Sequence, residues 1–117
     1  MDLDTAIQKH AQWKFKFINA LYENETMDAA AISKDNNCEF GKWLYGEAQS
    51  LYGKSVIYQN CVADHAAFHV EAGKVAAAVN AKRKDEAERL LASGSAYATS
   101  SRKVSVSIVE LKNEKHG

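Results

Sequence analysis

Apolar residues recur along most of this chain at three- and four-residue steps, the period of helices that bury one face. Leu3, Ala6, Ile7, His10, Trp13, Phe17, Ala20 and Leu21 mark such a face and predict a first helix over residues 4–23. A second stripe, Ala11, Phe15, Ile18 and Tyr22, lies on another side of the same helix. One core needs only one stripe, so this helix is expected to meet a partner surface as well. The period breaks over residues 24–37, where 27–32 predict a short helical turn and the polar run 33–37 a loop. Asp35, Asn36 or Asn37 is placed to cap a short helix over 38–45 that stops near Gly46, with Cys38 in its first turn. A long helix follows over 56–82, its inward face marked by Tyr58, Cys61, Val62, His65, Phe68, His69, Ala72, Val75, Ala76 and Val79. Lys82, Arg83 and Lys84 close it, where cations suit the negative end of the helix dipole. Asp85 and Glu88 have capping-box spacing at the start of a helix over 86–92. Gly94 then separates it from a last helix that Ser95 opens and that lasts to 113, unless the two form one helix tolerating Gly94. Tyr97, Val104, Ile108 and Leu111 supply the last helix with its core stripe.

Composition agrees with that reading. Pro is absent and 46% of residues are apolar, so no proline interrupts the helical pattern. The expected fold is all-α: an antiparallel four-helix bundle with an extra short helix that carries Cys38. With no internal repeat, low-complexity tract or linker, residues 1–117 read as a single domain, large enough to hold a core without disulfides. Fifteen basic and fifteen acidic residues cancel, which removes the electrostatic basis for binding nucleic acid or anionic lipid. No apolar run approaches the roughly 20 residues of a membrane span. The start, with Asp2 and Asp4, lacks a signal-peptide pattern, so the expected location is cytoplasmic. In that reducing setting Cys38 and Cys61 read as thiols or metal ligands and not as a disulfide.

Chemistry concentrates on the histidines. Of the four, His116 falls in a polar tail, while His10, His65 and His69 all lie on apolar helix faces. His65 and His69 are four residues apart, so they project from one face about 6 Å apart along the axis and can grip one ion. His10 and Cys38 complete the four nitrogen and sulfur ligands that tetrahedral Zn²⁺ requires. A cysteine at a helix start has its thiolate favoured by the dipole, which helps deprotonation before metal binding. One thiolate and three neutral imidazoles leave the ion a residual +1, so an outer carboxylate is expected, with Asp64 and Glu39 nearest in sequence. Cys61 shares the face of His65, but it is roughly 12 Å along the helix from His69 and reads as an ordinary buried thiol.

The segment Cys38-Glu39-Phe40-Gly41-Lys42-Trp43-Leu44 closely resembles the Cys-x-Phe/Leu-Gly-x-Trp signature of the chemoreceptor zinc-binding (CZB) domain family. That family also has a first-helix histidine, matched by His10, and a His-x-x-x-His pair, matched by His65 and His69. The resemblance covers nearly the whole chain and fills all four ligand positions. It implies a homodimeric helical bundle that binds zinc tightly and serves chemoreceptors or diguanylate cyclases. It also implies a response to hypochlorous acid through the zinc-bound Cys38. Phe15, Ile18 and Tyr22 are then the expected dimer contacts. No signalling or catalytic domain accompanies these 117 residues, which suits a stand-alone chain or an excised domain equally. A metal-stabilised dimerisation module without a sensing role is the alternative.

Catalysis is not expected. His65-Ala66-Ala67-Phe68-His69 lacks the glutamate that serves zinc hydrolases as general base, and four protein ligands leave no open position for water. A di-iron bundle would need more histidines and bridging carboxylates aligned across several helices, and only one His pair exists here.

Overall fold

The computed structural model describes residues 1–114, and among them there are helices and no strands. His116 lies outside the described residues. The first two helices, α1 (Leu3–Ala11) and α2 (Trp13–Tyr22), form one rod broken only at Gln12. The long α6 (Val56–Asn80) and α8 (Ala96–Asn113) are the other large members, joined by α7 (Lys84–Leu91). Three short helices, α3 (Ala29–Ile32), α4 (Glu39–Tyr45) and α5 (Glu47–Tyr52), lie between the first rod and α6. We refer to the stretch over 28–46 as the strap.

Direction follows from the end contacts. Lys112 Nζ sits 2.8 Å from Asp4 Oδ1, and the Ser55 hydroxyl donates to Glu114, so α8 runs antiparallel to both α1–α2 and α6. The all-helical bundle expected from periodicity is therefore present. Its rods are α1–α2, α6, α7 and α8, and the short helix carrying the cysteine lies alongside. The core is a continuous set of buried side chains in which Phe17, Phe68, Leu44, Val75, Val104, Ile108 and Leu111 are wholly enclosed.

Local chemistry explains most boundaries. Asp2, Asp28, Ser55 and Ser95 are N-caps whose side chains accept backbone N–H groups of α1, α3, α6 and α8, as short polar side chains do at free helix starts. Gly94 adopts φ +85°, a left-handed conformation that costs glycine little. That turn separates α7 from α8 and rules out one continuous helix.

Four expectations change. The first helix is interrupted at Gln12. α5 was not foreseen; the chain turns at Gly46 and resumes at once through Glu47, Ala48 and Gln49, with Ala48 buried. Asp85 and Glu88 form no capping box, because α7 starts at Lys84 and its N-cap, Arg83, makes no side-chain cap bond. Cys38 lies one residue before the first turn of α4 and is itself the N-cap, replacing Asp35, Asn36 and Asn37 in that role.

Candidate metal centre

Each ligand arrives by its own local rule. His10 sits on the buried face of α1, one turn after Ala6. His65 and His69 sit one turn apart on the buried face of α6. Cys38 has extended backbone (φ −88°, ψ 159°), and its sulfur accepts the Gly41 N–H at 3.3 Å. Gly41 is required at that point. A Cβ there would lie 1.7 Å from the Asp35 carbonyl oxygen and 3.2 Å from His65 Cε1. At its far end α4 is tied to α6 by the Tyr58 hydroxyl, which donates to the Leu44 carbonyl at 2.6 Å.

The four donors converge. His65 Nε2 is 3.0 Å from His10 Nε2 and 3.1 Å from His69 Nε2. Cys38 Sγ is 3.3 Å from His65 Nε2 and 3.6 Å from His69 Nε2. One ligand atom from each of the four lies within 4.8 Å of all the others. Tetrahedral zinc with ordinary bond lengths would set N···N near about 3.3 Å and N···S near about 3.6 Å. The spacing fits.

Hydrogen bonding sharpens that fit. His10 Nδ1 is 2.7 Å from the Ala6 carbonyl and His69 Nδ1 is 2.8 Å from the Ile32 carbonyl. A carbonyl only accepts, so both Nδ1 atoms carry the proton and both Nε2 atoms present lone pairs to the centre. A proton on His65 Nε2 can satisfy one of those lone pairs, not both. A cation satisfies every inward donor at once. The sequence left the choice of ring nitrogen open, and the tertiary structure selects Nε2 throughout.

The surroundings favour neutral imidazoles. Burial holds all three histidines below their ordinary value, His65 down to about 2, with repulsion from neighbouring imidazoles adding to the fall for His10 and His65. Phe40 and Phe68 close the site edge-on, with ring centroids 5.0 Å from His65 and 5.4 Å from His10 respectively. Burial also pushes the Cys38 thiol up, against the pull of the Gly41, Phe40 and Cys38 backbone N–H groups. This reverses the expectation of a thiolate formed before metal arrives. Desolvation outweighs the end of so short a helix, and deprotonation accompanies metal binding.

Residues 10–76, the stretch that holds all four of these side chains, match the family model of the chemoreceptor zinc-binding domain. The chain belongs to that family. No curated protein and no solved structure gives a significant match. The CZB domain is a non-catalytic binding domain found in chemoreceptors and other signalling proteins, and here His10, Cys38, His65 and His69 form its candidate zinc site. Bound zinc would be held by those three Nε2 atoms and the Cys38 sulfur.

The carboxylates expected to support the site are engaged elsewhere. Asp64 accepts a hydrogen bond from Ser107 on α8, and Glu39 is exposed, 3.5 Å from Lys9 Nζ. The outer partners of His10 and His69 are instead backbone carbonyls. No side-chain pattern in a sequence announces a carbonyl, although the four-residue step from Ala6 to His10 is compatible with one. Cys61 is buried and not part of the cluster. Phe15 and Tyr22 are 68% and 60% exposed, whereas Ile18 is half-buried against the core. Among the described residues, no helix is long and apolar enough to cross a membrane.

Proposed function

We propose that this CZB domain is a zinc-dependent sensory domain in which Cys38 is the redox-responsive ligand and hypochlorous acid the oxidant. The observation that carries the reading is an asymmetry within the ligand set: the three histidines are buried, while Cys38 alone is half-exposed. Cys38 lines a half-open cleft of about 290 Å³ between α1 and α4, whose walls include Ala6, Lys9, Trp13 and Phe40. A small oxidant can reach the sulfur there. Bound zinc supplies the positive charge that keeps Cys38 a thiolate at neutral pH.

The Cys38 sulfur attacks the chlorine of hypochlorous acid and hydroxide leaves; water then displaces chloride. In sum, thiolate and hypochlorous acid give sulfenic acid and chloride. Cys38 thereby loses the only anionic charge in the ligand set. The strap that carries it can then shift, a local two-state change suited to signalling. Cys61 is wholly buried, with its thiol pushed up to about 12 by burial and by the nearby Asp64 and Glu110 carboxylates, so it is not the responsive thiol.

In this reading the chain is one cytoplasmic domain. It works as a homodimer through the exposed stripe of Phe15 and Tyr22 with Ile18, serving a chemoreceptor or diguanylate cyclase output. Elemental analysis should find one zinc per chain. After a brief stoichiometric pulse of hypochlorous acid, mass spectrometry should find Cys38 modified well before Cys61; equal modification of the two removes the redox half of the proposal. Phe15→Glu with Ile18→Glu should give monomers by light scattering, and a wild-type monomer at high micromolar concentration refutes the dimer.

A further inference from the structure

α6 carries a glycine, Gly73, one turn beyond His69 and on the same buried face. Glycine is a poor helix former in the interior of a 25-residue helix, and alanine would serve the helix better. Its neighbour across the packing interface supplies the reason for it. A Cβ on Gly73 would lie 2.6 Å from Ser33 Cβ and 3.1 Å from Ser33 Cα. Real Cβ contacts do not fall as short as 2.6 Å, so either α6 or Ser33 would have to move.

Ser33 cannot move alone. Its N–H donates to the Ala29 carbonyl at 3.0 Å and its hydroxyl to the Ala30 carbonyl at 2.7 Å, which binds it into the end of α3. The residue immediately before it is Ile32, whose carbonyl accepts the His69 Nδ1 proton at 2.8 Å. Two residues on, the Asp35 carbonyl rests against the bare Cα of Gly41. The segment between Ile32 and Asp35 is therefore seated at both ends on positions that lack a side chain.

We infer that Gly73 is a positioning residue of the zinc site: it admits Ser33 against α6 and so places the Ile32 carbonyl that orients the His69 ring. Outer partners of metal-bound histidines fix ring orientation and tautomer, and their loss lowers metal affinity by about 10- to 100-fold. A methyl group at residue 73 meets Ser33 first and displaces the carbonyl through it.

The test uses the zinc-loaded chain as wild type, Gly73→Ala, Ser33→Gly and the double variant. Competition with a chromogenic chelator reads affinity, and long-range ¹H–¹⁵N spectra read the hydrogen-bonded His69 Nδ1 proton. Gly73→Ala should bind zinc about 10- to 100-fold more weakly and lose or shift that proton signal, with helix content no lower than wild type. Ser33→Gly should stay near wild type. The double variant removes the atom the new methyl meets first, and it should recover most of the lost affinity together with the proton signal. Wild-type affinity in Gly73→Ala overturns the inference, as does a double variant that binds no better than the single one. Should Gly73→Ala alone fail to fold, the double variant decides: folded with near wild-type affinity supports the inference, and any other result overturns it.

Discussion

Cys38 and Cys61 stand in two regions that are held by different means. Cys61 belongs to the α6–α8 spine, where Phe68, Val75, Val104, Ile108 and Leu111 leave no accessible surface and two long helices cover each other. Cys38 belongs to the strap, where α3 has no buried residue and α4 contributes only Phe40, Gly41 and Leu44 to the interior. The spine is stabilised by apolar area removed from water, which needs no metal. The strap rests on Phe40 and Leu44, the Tyr58–Leu44 and His69–Ile32 hydrogen bonds, the seat of Ser33 on Gly73 and the ligand itself. Three imidazoles are thus placed by helices with their own cores, and the sulfur arrives on an element that the metal helps to hold.

The largest effect that sharpens this comparison lies in the spine. Phe68→Ala should cost about 3–5 kcal/mol in denaturant unfolding, as for a large core side chain. A cost below about 1 kcal/mol would show that the spine is not the stable half. Next in size is zinc removal by a strong chelator. Amide exchange over 32–45 should accelerate by about tenfold or more, equivalent to about 1.4 kcal/mol, while the centre of α8 changes little. Uniform loss of protection would erase the distinction between strap and spine. In the same chelated sample a thiol reagent at pH 8 should label Cys38 and leave Cys61 untouched.

Gly94→Ala tests the spine from its connection. Nothing lies within 4 Å of the new methyl, so the cost comes only from forcing alanine to φ +85°, about 1 kcal/mol, with zinc affinity unchanged. A change in zinc affinity would mean that the α7–α8 turn communicates with the strap. The smallest effect belongs to Lys9→Ala. Its pair with Glu39 bridges α1 and α4, but both side chains are more than half exposed, so the loss should be under about 1 kcal/mol and shrink in salt. A larger cost would add an ionic latch to the strap's anchors.

How legible each element was follows from where its signal resides. α6 and α8 were readable because their apolar faces repeat over many turns and because Gly94 and Ser95 mark where α8 begins. α5 was hidden because its six residues are too few to show a period; Gly46 does end α4 as expected, and the chain re-enters a helix directly after it. Arg83 starting α7 without a side-chain bond could not be told from the Asp85 and Glu88 spacing, since the preceding turn, with Lys82 at φ +58°, decides where the helix begins. Asp64 and Glu39 are neighbours of the ligands in sequence. In space their partners come from α8 and α1, at sequence distances that no local pattern encodes.

The sequence by itself determined the all-helical class, the identity of the four ligands and their kinship with CZB domains, because residue type and spacing along one helix are local properties. Tertiary structure decided the rest: that Nε2 of each ring faces inward, that backbone carbonyls and not carboxylates support His10 and His69, and that Cys38 caps its helix. It also decided that burial raises the Cys38 thiol. Each of these depends on which groups are brought together after water has been excluded, and desolvation and close approach exist only once separate helices have packed.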